Sequence, residues 1–185
     1  MGKLIYSTLG SLDGYMADEK GGFGWAMPSD EVHAFVNDLQ RPLGTHLYGR
    51  RLYEVLTAWE HPEDFPERNA ILDDFAAIWQ SADKIVYSST LRDVSTARTR
   101  VERTFDPAAV RRLTEETDHD LLIGGPTLAA HALRAGLVDE VHSFIAPAVV
   151  GGGLAIYPDG VKLTLELLAE RRFDNGMAYL HYAVH

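Results

Sequence analysis

Three short runs carry residue types that could do chemistry: Gly49-Arg50-Arg51, Ser88-Ser89-Thr90 and Gly124-Gly125-Pro126-Thr127. Each follows a short β-prone segment, at residues 45–48, 84–87 and 120–123, so each sits at the carboxyl end of an expected strand. In open α/β sheets that edge is where ligands bind. A glycine pair before a helix lets a phosphate approach backbone N–H groups at the positive end of the helix dipole. Adjacent arginines grip phosphate oxygens in pairs, and Ser and Thr hydroxyls complete such a site. Singly, each run also has an ordinary explanation: a tight turn, a solvated arginine pair, a plain polar loop. Two arginines at a helix start oppose the dipole, however, and an anion between them relieves that penalty. Their occurrence together points to an anion site.

A second stretch, Trp25-Ala26-Met27-Pro28-Ser29-Asp30, puts an aromatic ring, a proline and a carboxylate at a helix start. Trp25 and Asp30 could flank a flat ligand there, with Asp30 as a hydrogen-bonding or proton-donating acid in an apolar cleft. The plainer reading is that Pro and Asp are ordinary helix-start residues. No GxxxxGK[ST] phosphate loop, GxGxxG fingerprint or GxSxG elbow occurs. The eight histidines are scattered without an HExxH pair, so no metal site is expected, and His33 and His131 read as surface or half-buried groups.

The elements that must position these residues fit one domain spanning residues 1–185. Hydrophobic residues at 46% and charged residues at 24% match a globular composition. With no cysteine there is no disulfide, thiolate site or cysteine nucleophile. A formal charge of −10 disfavours nucleic acid and anionic membranes as partners, so an anionic ligand needs a local basic pocket. No apolar stretch is long enough to span a bilayer and the start does not read as a signal peptide, so a cytoplasmic setting is expected.

Residues 4–9 read as a buried strand and residues 18–25 as a mobile glycine-rich loop. Ser29 caps a helix with Val32, Phe35, Val36 and Leu39 on one face. A helix is expected over 66–79, another from the Asp106-Pro107 start to about 117, and one from Pro126 stopped at Gly136. Residues 99–103 and 141–146 read as strands, and 163–173 with 177–184 as a hairpin around Asp174-Asn175-Gly176. Alternating strands and helices closed by a hairpin predict an α/β domain with a mixed sheet.

Several segments, in order, carry a family likeness: Ser11-Leu12-Asp13-Gly14-Tyr15-Met16-Ala17, Tyr48-Gly49-Arg50-Arg51-Leu52-Tyr53-Glu54, Tyr87-Ser88-Ser89-Thr90-Leu91, Ile123-Gly124-Gly125-Pro126-Thr127-Leu128, Gly136-Leu137-Val138-Asp139-Glu140-Val141 and Pro147-Ala148-Val149-Val150-Gly151-Gly152-Gly153. By these the chain resembles the dihydrofolate reductase superfamily, in the branch shared with the reductase domain of riboflavin biosynthesis. The resemblance spans nearly the whole chain. It implies a three-layer domain with a mostly parallel central sheet and a C-terminal antiparallel hairpin, and bound NADPH.

By position, the resemblance gives Gly49, Arg50 and Arg51 to cofactor phosphates and Ser88, Ser89 and Thr90 to the adenosine end with its 2′-phosphate. Ile123 and Gly124 to Leu128 fall to the pyrophosphate, and Leu9, Met16 and Ala17 to the nicotinamide, under the loop through Gly21-Gly22. Trp25, Pro28 and Asp30 fit the family's Trp-x-x-Pro-x-acid pattern, which implies substrate contact by Trp25 and Asp30 and proton delivery by Asp30 or a water. An aminobenzoyl-glutamate site and a separate basic site for a ribosyl phosphate are not apparent.

The expected activity is therefore NADPH-dependent hydride transfer to a small flat heterocycle, pterin- or pyrimidine-like. The alternatives are a non-catalytic nucleotide-binding or regulatory module of the same fold, and another phosphate-using α/β enzyme. The resemblance also allows a homodimer. The apolar run 141–150 could contribute to one, although a buried strand is its simpler reading.

Overall fold

A computed structural model describes all 185 residues. In chain order the elements are β1 (Leu4–Ser11), β2 (Tyr15–Ala17), α1 (Asp30–Gln40), β3 (Thr45–Gly49), α2 (Arg50–Leu56), α3 (Ala70–Ser81), β4 (Asp83–Tyr87), β5 (Thr99–Glu102), α4 (Pro107–Glu116), β6 (Leu121–Gly124), α5 (Pro126–Arg134), β7 (Glu140–Ala146), β8 (Leu154–Ala155), β9 (Leu165–Arg172) and β10 (Ala178–Val184). Eight strands form one sheet in the order β5-β4-β3-β6-β1-β7-β10-β9, and β2 pairs with β8 in a second, small one. From β5 to β7 all neighbours run parallel, while β10 is antiparallel to both β7 and β9. This is the mostly parallel sheet with a terminal hairpin that the resemblance implies. No helix is long and apolar enough to cross a membrane.

Side chains alternate across the sheet, so each central strand feeds two cores. Leu4 and Tyr6 of β1, with Leu121 and Ile123 of β6, pack against Leu128, Ala129, Ala132 and Leu133 of α5 and Val110 of α4. On the opposite face, Ile5, Tyr48, Val86 and Leu122 meet Phe75 and Trp79 of α3. Phe144 and Tyr179 meet Val32 and Phe35 of α1.

Local chemistry sets the helix starts. Ser29 accepts from the Val32 N–H, and Asp106 accepts from the Ala108 N–H ahead of Pro107. The third helix begins at Ala70, four residues later than the expected 66, because Asn69 caps it by accepting from the Ile71 and Leu72 N–H groups. Residues 141–146 lie inside the sheet between β1 and β10, so this part of the apolar run supplies core. Strands β2 and β8, of three and two residues, were not expected.

One buried cation stabilises the end of α3. The Lys84 ammonium donates to the carbonyls of Trp79 (3.0 Å) and Ala82 (2.9 Å) and lies 4.4 Å from the centre of the Trp79 ring. Burial lowers its pKa, the cost of taking the charge from water. A donor at a helix C-terminus satisfies orphan carbonyls and opposes the negative dipole end. Lys84→Met keeps most of the volume and removes the donor. We expect it to cost about 1–3 kcal/mol, read by urea denaturation; unchanged stability would show that these carbonyls need no donor.

Candidate functional site

The three polar runs meet at one edge of the sheet. Their strands are neighbours, with β3 between β4 and β6 in parallel register. Gly49 ends β3 and caps α2, and Gly125 follows β6 and caps α5. Neither helix has a side-chain cap hydrogen bond, whereas α1, α3 and α4 are capped by Ser29, Asn69 and Asp106. Two helix amino termini without side-chain caps therefore open at adjacent strand ends, where unpaired N–H groups and the dipole favour an anion.

Glycine is what allows this approach. A Cβ on Gly124 would lie 2.8 Å from Leu52 Cδ2 of α2, and Gly125 has φ +84°, a left-handed conformation that side chains resist. On the α2 side, a Cβ on Gly49 would sit 3.8 Å from Leu128 Cβ of α5. The third run joins through Arg50, whose Nη1 donates to Thr90 Oγ1 (2.9 Å) while Nε donates to Glu54 Oε1 (2.6 Å). Arg50, Arg51, Ser89, Thr90 and Thr127 are exposed, whereas Ile123, Pro126 and Leu128 are buried supports.

Ser88 takes a different place from its neighbours. Its hydroxyl accepts from the N–H groups of Thr90 (3.3 Å) and Leu91 (3.0 Å), and so shapes the loop from within. Arg103 braces the same loop, donating to the carbonyls of Ser88 (3.2 Å) and Leu91 (2.5 Å). Sequence reading missed Arg103, since only the parallel β4–β5 pairing brings it there. Of two shallow clefts, one touches the start of α5 and the other follows the β5–α4 groove. One, about 230 Å³, includes Pro126, Thr127, Ala130, Leu154 and Tyr157. The other, about 380 Å³, runs from Tyr87 past Arg100 and Asp106 to Arg112.

Around β1 and β2, Ala17 is buried and Leu9 and Met16 are half-buried. Asp13 of the Ser11-Leu12-Asp13-Gly14 motif accepts from the N–H groups of Val150 (3.2 Å) and Gly151 (2.8 Å). These bonds tie the Gly151-Gly152-Gly153 loop after β7 to the β1–β2 turn. Gly153, with φ +130°, lies so close that a Cβ would come 2.1 Å from the Ala17 carbonyl oxygen. The segment expected to be mobile is organised by Asp18, whose Oδ1 accepts from the N–H groups of Lys20 (2.9 Å) and Gly22 (2.8 Å).

Trp25 is half-buried against the core beneath α1, and its indole N–H reaches the Gly22 carbonyl at 3.3 Å. Asp30 is the first residue of α1, and its exposed carboxylate accepts from Asn69 Nδ2 (3.3 Å), linking the starts of α1 and α3. Next to it, His33 is half-buried between the rings of Trp59 (5.7 Å) and Phe75 (5.1 Å). Burial lowers the His33 pKa, while the Asp30 charge opposes that shift. His131 is exposed and stacks on Phe105 at 5.6 Å.

Strand order and site edge together define a dihydrofolate reductase-like domain. Residues 2–179 match the RibD C-terminal domain family, and the chain belongs to that family. It is 24% identical over 185 residues to the uncharacterized protein YyaP of Bacillus subtilis, covering 97% of this chain and 94% of that protein. A crystal structure of a candidate riboflavin biosynthesis protein from a Shewanella species has the same fold, with TM-score 0.75, 20% identity and coverage of 100% and 99% of the two chains. The Thermotoga maritima diaminohydroxyphosphoribosylaminopyrimidine deaminase/5-amino-6-(5-phosphoribosylamino)uracil reductase matches with TM-score 0.66 and 17% identity. That match covers 100% of this chain and 57% of the Thermotoga one.

The Asp13 clamp has a pH signature. Hydrogen bonding, first from Ser11 and then from the Gly151 and Val150 N–H groups, holds its carboxyl below the ordinary 3.8. A lowered folded pKa means that the clamp is fully present above the ordinary value and is lost as pH falls through the lowered one. We expect Val150 and Gly151 N–H exchange to be slow at neutral pH and to quicken, relative to the intrinsic rate, under strongly acid conditions. Asp13→Asn should exchange faster at neutral pH. Equal protection in both proteins would show that the loop is held by other contacts.

Proposed function

We propose that the protein is an NADPH-dependent oxidoreductase that reduces a small flat heterocycle, pyrimidine-like before pterin-like. The observation that carries this reading is the pair of glycine-started helix termini without side-chain caps on adjacent strands, with Arg50 at their rim. In a molecule of charge −10 such a local cationic cradle suits a phosphorylated ligand. Glycine at 124 also lets α2 lie close over the end of β6, because a Cβ there would press into Leu52.

On this reading the N–H groups of Thr127 and Leu128 hold the pyrophosphate. Arg50, Arg51, Ser89 and Thr90 hold the 2′-phosphate, and Ser88 holds their loop. Leu9, Met16 and Ala17 line the nicotinamide end. NADPH, when bound, supplies the hydride; the chain binds it, orients it and excludes water. Trp25 would cover one side of the substrate, and Asp30 would hold its nitrogen edge and the proton that accompanies reduction. The family membership and the uracil reductase named for the Thermotoga protein support a pyrimidine. Engagement of Asp30 by Asn69 favours the second reading, a nucleotide-binding module without turnover. A cytoplasmic homodimer belongs to the same proposal, with sedimentation equilibrium as the check on the dimer.

Thermal unfolding with added nucleotide tests the cofactor. NADPH at about 100-fold above its Kd should stabilise by about 2.7 kcal/mol, and NADH at the same concentration by clearly less. Arg50→Ala should weaken NADPH binding by about 10–100-fold, the loss of one charged hydrogen-bonding partner, and leave NADH nearly unchanged. Equal shifts with the two nucleotides would remove the 2′-phosphate site, and no shift with either would remove the cofactor. Asp30→Asn should lower pyrimidine-dependent NADPH oxidation by about 10²-fold or more, the usual scale for a lost general acid, with NADPH binding kept. Absence of oxidation by the wild-type protein across pyrimidines and pterins, with NADPH bound, would favour the non-catalytic module.

A further inference from the structure

Away from the cradle, β7 and β10 bring three metal-ligating side chains together. Glu140 and His142 are two residues apart on β7, and His181 of β10 stands directly opposite His142 in the antiparallel register. One ligand atom from each lies within 4.8 Å of the others. Glu140 Oε2 is 2.8 Å from His181 Nε2 and 3.7 Å from His142 Nε2. Around a tetrahedral Zn²⁺ with bonds of about 2.0–2.1 Å, neighbouring ligand atoms stand about 3.3 Å apart. The two distances to Glu140 lie on either side of that value, and the two imidazole nitrogens stand within 4.8 Å of each other, so side-chain rotation would close the set around an ion.

A polar network alone leaves one atom unexplained. His142 is only 7% exposed, yet its Nε2, which faces the Glu140 carboxylate, is buried without a hydrogen-bond partner. Such an atom normally finds one. The surrounding groups suit a metal ligand. Tyr179 Oη lies 3.2 Å from His142 Nδ1. With Nδ1 donating there, Nε2 keeps its lone pair, the outer-shell arrangement that orients metal-bound histidines. The Lys3 ammonium takes the other Glu140 oxygen, Oε1, and leaves Oε2 to the two imidazoles. His181, with 21% of its side chain exposed, gives the cluster a route to solvent.

We propose that Glu140, His142 and His181 form a binding site for a first-row divalent cation, with Zn²⁺ the best match to two imidazoles and one carboxylate. Water from the His181 side completes the coordination. The ion ties β10 to β7 and so clamps the terminal hairpin to the parallel sheet. No metal site is expected from the sequence, which has no HExxH pair, and His181 lies 41 residues from Glu140 and joins it only through the β7–β10 pairing.

The test is titration of the purified, chelator-treated 185-residue protein with Zn²⁺, and with Co²⁺ for its visible ligand-field bands. One equivalent should bind with Kd below about 10 μM, raise Tm and give four-coordinate Co²⁺ bands, all reversed by chelator. His181→Ala, at the partly exposed ligand, should weaken binding by 100-fold or more. Tyr179→Phe keeps the ring and should weaken it by about 10-fold, the low end for losing an outer-shell partner. His185→Ala should leave it unchanged. Binding weaker than about 10 μM, binding that survives His181→Ala, or Tyr179→Phe equal to wild type would overturn the proposal. NADPH is absent throughout, so the outcome is independent of the proposed reductase activity.

Discussion

Leu52 of α2 packs over Gly124 and Gly125, and that contact holds two helix starts at the same sheet edge. Neighbouring parallel strands β3 and β6 bring the helices there, and the missing glycine side chains let them stay close. Helices whose first N–H groups lack a side-chain partner usually rely on water or a ligand. Here the other three α-helices carry Ser, Asn or Asp caps. The contrast lies within one chain, so it reflects position in the sheet and not a general poverty of capping residues.

Charge sharpens the same edge. The molecule is acidic overall, yet Arg50 sits at the mouth where its helix dipole disfavours a cation. Glu54 and Thr90 anchor the guanidinium, which limits the freedom it would lose on meeting a phosphate. Ser88 and Arg103 serve the same end indirectly by shaping the loop that presents Ser89 and Thr90.

Around the β1–β2 turn, short polar clasps work alongside buried Ala17 and Ile156. Asp13 grips the loop after β7, Asp18 closes its own turn, and the β2–β8 pair is only a few residues long. Segments with few buried apolar contacts open at low free-energy cost. By contrast, β6, which leads into Gly125 and α5, is fully buried.

Much of this was legible in the chain. Residue types announce local events whose physics is local: Ser29 and Asp106 as caps, Pro126 as a first helical residue, Gly136 as a stop, the Asp174-Asn175-Gly176 turn. Two of the three strand-end runs were legible for the same reason, since a strand followed by glycine and a helix is written within ten residues, and Ser88-Ser89-Thr90 was legible as a polar turn after a β-prone segment. The late start of α3 shows the limit, because a helical apolar pattern can extend past the residue that caps it. Tertiary structure alone decided that Ser88 turns inward, that Arg103 reaches its loop and that β2 meets β8. It alone set His181, 41 residues from Glu140, within hydrogen-bonding distance of it. Those facts depend on which strands become neighbours and in what register, and pairing free energy is summed over the whole sheet rather than stored in any short stretch of sequence.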